Sequence, residues 1–260
     1  MDNEMTRITW MPSLYSGSCE GCTEAKFNTI IRDACVRWKR DTRRAVRRAV
    51  REGLPLDKFT CDTDYQKWEL QQLAMPRVGE KFASMCTAER LLKWVDYELK
   101  PSMPGFVYCV SEFGLVPRED KKGNPLLDEN GQPILYRRRV PENICHLSGL
   151  FYSDYDHLPF DPLLLYERTL KPDYPWRTAL AHITSSGEGL RIVSECIIGQ
   201  GYGNVADQIY LQAKELGVLN LKGTTGKYVC DNAIINPISF SFTPCIDDIL
   251  YIDNQLLFNF

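Results

Sequence analysis

Three short segments hold side chains that could do chemistry together. In Leu150-Phe-Tyr-Ser-Asp-Tyr-Asp156 two aspartates stand two positions apart, and because side chains alternate along a strand, Asp154 and Asp156 leave on one face. Carboxylates so placed suit a hard cation such as Mg²⁺ or Mn²⁺, which leaves positions open for substrate phosphates; paired aspartates at a strand end also serve as turn formers. In Ser185-Ser-Gly-Glu-Gly-Leu-Arg191 the glycines of a tight hairpin let backbone N–H groups approach an anion. There Ser185 and Ser186 add hydroxyl donors, Gly187 and Gly189 the freedom to turn, and Arg191 a charge-assisted fork. A glycine-rich turn between strands also forms with no ligand at all. The third segment, Val229-Cys-Asp-Asn232, puts a lone carboxylate, Asp231, after a short apolar run. In combination Asp154, Asp156 and Asp231 supply metal-binding oxygens and the hairpin a triphosphate grip, the set that two-metal phosphoryl transfer requires.

The elements that must position these groups follow from periodicity. Phe106 to Phe113, Ile134 to Val140, Leu147 to Tyr155, Thr178 to Thr184 and Leu190 to Ile198 read as strands, the last two joined by the Ser-Gly hairpin. Shorter strands are expected near Tyr228–Ala233, Ser239–Thr243 and Leu250–Ile252. Asp161-Pro162 opens one helix, and Asn204 and Gly217 bracket another over Val205–Leu216. The polar stretch Arg118–Pro133 reads as a protruding hairpin, and no internal repeat stands out. Helical spacing also marks Phe27–Arg51, Asp64–Leu73 and Ala88–Leu99. Helices come first and mixed strands after, which predicts an α+β protein with a mostly antiparallel sheet. A helix-rich module over 1–104 would precede a core over 105–260, the two forming one compact unit.

Length and composition bound the function. The chain has 260 residues, 44% hydrophobic and 25% charged, with a formal charge of -3, which excludes a wholly disordered chain and a polycation throughout. No apolar run approaches a membrane span and no export signal is evident, so a cytoplasmic protein without membrane association is expected. Ten cysteines are scattered along the chain; Cys19 and Cys22 alone have metal-like spacing, and without a second pair free thiols are favoured over zinc. Three histidines in no paired motif argue against histidine chemistry. The helix over Phe27–Arg51 concentrates Arg40, Arg43, Arg44, Arg47, Arg48 and Arg51 with few acids between them. Such a run is commonly a solvated face, but its self-repulsion favours a polyanionic partner, here a nucleic-acid backbone.

Together the segments His146–His157, Ser186-Gly-Glu-Gly-Leu-Arg191, and Asp231 with Asn236-Pro-Ile-Ser-Phe-Ser-Phe-Thr-Pro244 resemble the three motifs of the archaeo-eukaryotic primase superfamily. The resemblance is to its VirE amino-terminal-type branch of bacterial mobile elements and phages. It covers Lys100 to Phe260, with Lys100-Pro-Ser-Met-Pro104 similar to a lysine-and-proline segment upstream of the acidic motif. The resemblance implies an RRM-like sheet and a primase or primase-polymerase that makes or extends primers on single-stranded DNA. Asp154, Asp156 and Asp231 would hold Mg²⁺ or Mn²⁺, the hairpin would grip a nucleoside triphosphate, and a separate helicase would unwind the template. Two positions depart from the pattern: Arg191 stands where many primases have histidine, and no cation lies near Ser239. Other readings are a non-catalytic nucleic-acid-binding module on the same fold, or a Toprim-type site in which Glu112 on a parallel sheet joins the aspartates.

Overall fold

The computed structural model describes residues 6–53, 92–93, 95–197, 204–231 and 235–260. The helix expected over Asp64–Leu73 lies outside them, as do residues 88–91 and 94 of the one expected over Ala88–Leu99; of the latter, residues 92–93 are helical and Val95–Leu99 form a π-helical turn. The strands in chain order are β1 (Ile8–Met11), β2 (Glu20–Cys22), β3 (Gly105–Val107), β4 (Val110–Phe113), β5 (Leu115–Pro117), β6 (Leu135–Arg137), β7 (Ile144–Leu147), β8 (Leu150–Tyr155), β9 (Thr178–Ile183), β10 (Leu190–Glu195), β11 (Ser241–Phe242) and β12 (Ile249–Ile252). The helices are α1 (Glu24–Ile31), α2 (Ala34–Glu52), α3 (Pro162–Arg168), α4 (Val205–Glu215) and α5 (Asn254–Phe258). Helices and antiparallel sheets are mixed in an α+β arrangement, and every described strand pair is antiparallel. No described helix is long and apolar enough to cross a membrane.

The central sheet has the order β12-β9-β10-β8. All six residues of β8 are buried, as are most of β9 and β10, so these strands carry side chains toward two covered faces. One face holds Phe151, Ser153 and Tyr155 and packs on α4. There Gln212 takes a hydrogen bond from Tyr155 Oη at 3.2 Å and donates to Ser194 Oγ at 3.1 Å. The other face holds Tyr152, Asp154, Arg191 and His182. A second sheet, ordered β11-β3-β1-β2, draws strands from both sides of residue 104, so the front of the chain and the remainder are joined by backbone hydrogen bonds.

Several local expectations change. The helix expected over Phe27–Arg51 is two helices, because Asp33 takes up extended backbone between them and caps α2 by accepting from Cys35 N at 2.7 Å. The run Phe106–Phe113 divides into β3 and β4, and Leu147–Tyr155 divides at Ser148-Gly149 into β7 and β8. The strand near Tyr228 reduces to two isolated bridges, Tyr228 with Lys222 and Cys230 with Tyr155, and residues 232–233 lie outside the described residues. Cys19 and Cys22 face different core clusters, and burial pushes their thiols up to about 11 and about 12, so both stay neutral. The protruding hairpin contains a repeat that composition hides. Pro117, Pro125 and Pro133 recur at eight-residue steps, and the residues after them close a triangle of backbone bonds: Arg118 N to Ile134 O, Ile134 N to Leu126 O and Leu126 N to Arg118 O.

Candidate active site

The β8 aspartates meet the third segment at the sheet edge. Asp156 N donates to Val229 O at 2.9 Å and Asp231 N donates to Asp154 O at 3.0 Å, so residues 229–231 run antiparallel beside β8 with Asp231 opposite Asp154. Directly opposed residues share a face, with Cβ atoms about 5 Å apart. The register continues inward, Asp154 opposite Arg191 on β10 and Arg191 opposite His182 on β9. One row of side chains, Asp231, Asp154, Arg191 and His182, therefore crosses the sheet.

The hairpin is held against β8 by a glycine. A Cβ on Gly189 would come within 2.6 Å of Tyr155 O and 2.8 Å of Asp156 Oδ1, so no side chain fits there. Gly187 turns the chain at φ +80. The serines are engaged within the fold: Ser185 Oγ accepts from Arg43 at 3.0 Å, and Ser186 Oγ lies 2.9 Å from Thr184 Oγ1.

Beneath the hairpin lies a cleft of about 20 Å³ lined by Arg43, Lys100, Asp156, Thr184, Ser186 and Arg191, with Ser185, His157 and Phe242 completing its wall. That volume holds about one water, so a phosphate enters only as the lining side chains shift outward. Three cations line the cleft with Asp156, but Arg43 is paired with Asp96 and Arg191 with Asp154, so the local charges are close to balanced. Burial, Arg43 and Arg191 push the Lys100 amine down against the pull of Asp156 and Asp154, and its Nζ lies 4.8 Å from the centre of the Phe242 ring. Burial likewise lowers Arg43. Lys100 entered the sequence reading only through the lysine-and-proline segment, and Arg43 as a nucleic-acid contact. Neither residue's own spacing marks it as a cleft residue.

Arg191 is committed inward. One terminal nitrogen bonds to Asp154, and the other donates to Ser241 Oγ at 2.8 Å and Phe242 O at 3.3 Å. Burial opposes its charge, but Asp154 more than compensates and keeps it protonated. Burial pushes the Asp154 carboxyl up to about 6, against the pull of Arg191, and at neutral pH the two form an ion pair. Asp154 Oδ1, Arg191 Nε and His182 Nε2 are buried with no hydrogen-bond partner among the described residues. Burial, reinforced by Arg191, drives the His182 imidazole down to about 3, leaving it neutral.

The arginines of α2 turn toward acids remote in sequence. Arg40 meets Asp248 at 3.0 Å, Arg44 meets Asp248 at 3.0 Å and Thr184 O at 2.8 Å, Arg43 and Arg47 both meet Asp96 at 3.1 Å, and Arg51 pairs with Glu188. Arg40 and Arg43 are each 6% exposed, while Arg48 and Arg51 reach solvent. The scarcity of compensating acids within the helix is thus made good by tertiary contacts. Glu112 bonds to Arg137 at 2.7 Å on an antiparallel pair, which removes the parallel sheet that a Toprim-type site needs.

For a divalent cation the donor chemistry fits in type: Asp154, Asp156 and Asp231 offer hard oxygens, and Asp154 Oδ1 is buried with no hydrogen-bond partner among the described residues. Among the described residues no three His, Cys, Asp or Glu side chains are grouped so that they could hold a metal ion, the three aspartates included, and Arg191 holds the other Asp154 oxygen. No family model, no curated protein and no solved structure matches the chain.

Proposed function

We propose that the protein is a primase-type nucleotidyltransferase in which the 3'-hydroxyl of a strand paired with single-stranded DNA attacks the α-phosphate of a nucleoside triphosphate and pyrophosphate leaves, with its core sheet the RRM-like platform of that class. The observation that carries the reading is the meeting of Asp231 with Asp154 across the β8 edge, beside a cleft lined by Arg43, Lys100 and Arg191. The acids and the cations have different tasks in this chemistry. Lys100, Arg43 and the Ser185–Ser186 hydroxyls bind and orient the triphosphate, and Arg191 faces it from the cleft floor. Asp154, Asp156 and Asp231 would hold Mg²⁺ or Mn²⁺, which when bound neutralises phosphate charge during transfer. Gly189 keeps the hairpin close enough to β8 for both sets to act on one phosphate. The basic helix then braces the hairpin through Arg43 and Arg44 and meets the template only at its exposed end, Arg48 and Arg51. A separate helicase would open the duplex.

The test is incorporation of labelled nucleotide on single-stranded DNA, with and without a primer, in Mg²⁺ or Mn²⁺. Wild type is expected to extend, and Asp154→Asn, Asp156→Asn and Asp231→Asn each to lose at least a hundredfold. A second reading, a non-catalytic nucleic-acid-binding module, is favoured by the Arg191–Asp154 ion pair, which neutralises the acid that metal needs. DNA binding by wild type with no incorporation under any of these conditions would select it.

A further inference from the structure

The hairpin that delivers Asp231 has a surface of its own that nucleotide transfer does not use. Its segment Lys222-Gly-Thr-Thr-Gly-Lys-Tyr228 closes on a bridge between Lys222 and Tyr228, with Gly223 N donating to Lys227 O at 2.8 Å. Lys222, Thr224, Thr225, Lys227 and Tyr228 are all exposed, Tyr228 by 58%. Opposed residues of an antiparallel pair share a face, so the Lys222 and Tyr228 side chains leave the hairpin on one side. Among the described residues neither lysine forms an ion pair.

This surface is fixed to the site. Thr224 N donates to His157 O at 2.9 Å, and a Cβ on Gly223 would collide with that oxygen, so only glycine permits the approach. His157 holds φ +56, a left-handed backbone that a histidine rarely adopts. Its Nδ1 lies 3.2 Å from Glu188 Oε2, and Glu188 pairs with Arg51. Arg51, Glu188, His157 and the hairpin thus form one continuous rim along the cleft. Tyr228 precedes Asp231 by three residues, about 10 Å along an extended chain.

We infer that the Lys222–Tyr228 hairpin is the rail on which a single nucleic-acid strand lies, a phosphate against Lys222 and one base stacked on the Tyr228 ring. The inference rests on the nucleotidyl-transfer reading for the presence of a strand and adds where that strand runs. Aromatic stacking beside cations holds single strands without regard to sequence, since every base offers a π-face.

Fluorescence anisotropy of labelled oligo-dT, titrated with protein over a range of salt, tests this directly. Tyr228→Ala should weaken binding about tenfold while Tyr228→Phe keeps it. Lys222→Ala should lower the slope of log affinity against log salt by about 0.7, the loss of one phosphate contact. Because these side chains are exposed, thermal melts of the variants should overlay wild type. If wild type binds oligo-dT and both variants match it in affinity and slope, the rail is wrong while the nucleotidyl-transfer reading stands. If wild type fails to bind at low salt, both fall together.

Discussion

Helix α2 and the Lys222–Tyr228 hairpin are both basic, yet they spend their charge in opposite directions. Over Arg40–Arg51 the helix has six arginines, and Asp96, Glu188 and Asp248 take up five of them. The hairpin has two lysines and faces solvent with both. Charge density along a sequence therefore does not measure the charge a partner meets. A guanidinium's planar fork favours bidentate and shared contacts inside a fold, whereas a strongly hydrated ammonium is held at the surface. α2 acts as a brace between the turn at Asp247–Asp248 and the Ser-Gly hairpin, and its mutation should be read first as a loss of stability.

The comparison is most easily broken at Asp248. Asp248→Ala strips both Arg40 and Arg44 of their shared carboxylate, leaving Arg40 with only its contacts to Asp41 and Asp247. Removing one side of such a buried pair costs about 3–5 kcal/mol, or a fall in Tm of roughly 6–20 °C for a chain of this size, measured by calorimetry. An unchanged melt would mean that α2 is not a brace. Next in size is Gly189→Ala, where a methyl meets backbone and carboxylate oxygens; about 1–3 kcal/mol is expected, with the hairpin pushed off β8 and nucleotide affinity reduced in an equilibrium binding assay.

A pH titration of stability sharpens the contrast between buried and exposed polar groups. His182 is neutral in the fold down to about pH 3 but gains a proton in the unfolded chain near 6.5. The unfolded state then binds more protons, so the His182 contribution is fully present above about 6.5 and is lost as pH falls toward 3. Asp154, raised to about 6, works the other way and recovers stability as pH falls from 6 toward 4. His182→Gln should thus show a smaller drop in Tm between pH 7 and pH 4.5 than wild type; parallel curves would refute the assignment. The smallest effect belongs to exposed Arg48, where Arg48→Ala should move stability by less than about 0.5 kcal/mol.

Local rules made much of this legible. Asp161 caps α3 by accepting from Leu163 N at 2.9 Å, and Asn204 caps α4 by accepting from Asp207 N at 3.0 Å, as residue type and position imply. Hairpin glycines and strand alternation likewise anticipate the Ser185–Gly189 turn and the strand that carries Asp154, though not the burial of both its faces. What escaped them was short or interrupted. β1 and β2 have four and three residues, too few for a period to register, and Asp33 breaks a helix whose apolar spacing carries on past it. The three-proline triangle escaped because its repeat is one of backbone bonds and turn geometry.

By itself the sequence determined that Asp154 and Asp156 lie near one end of a strand and that a glycine-bearing bend follows between two more. These depend on neighbours a few residues away, where φ/ψ preference and side-chain alternation decide. Only the tertiary structure decided that Asp231 stands opposite Asp154, that Arg191 turns to Asp154 across 37 positions, and that Arg44 finds Asp248 across 204. An ion pair between such distant positions has no signature in either segment alone. Whether a charged side chain faces a partner or faces water is settled by what the fold brings beside it.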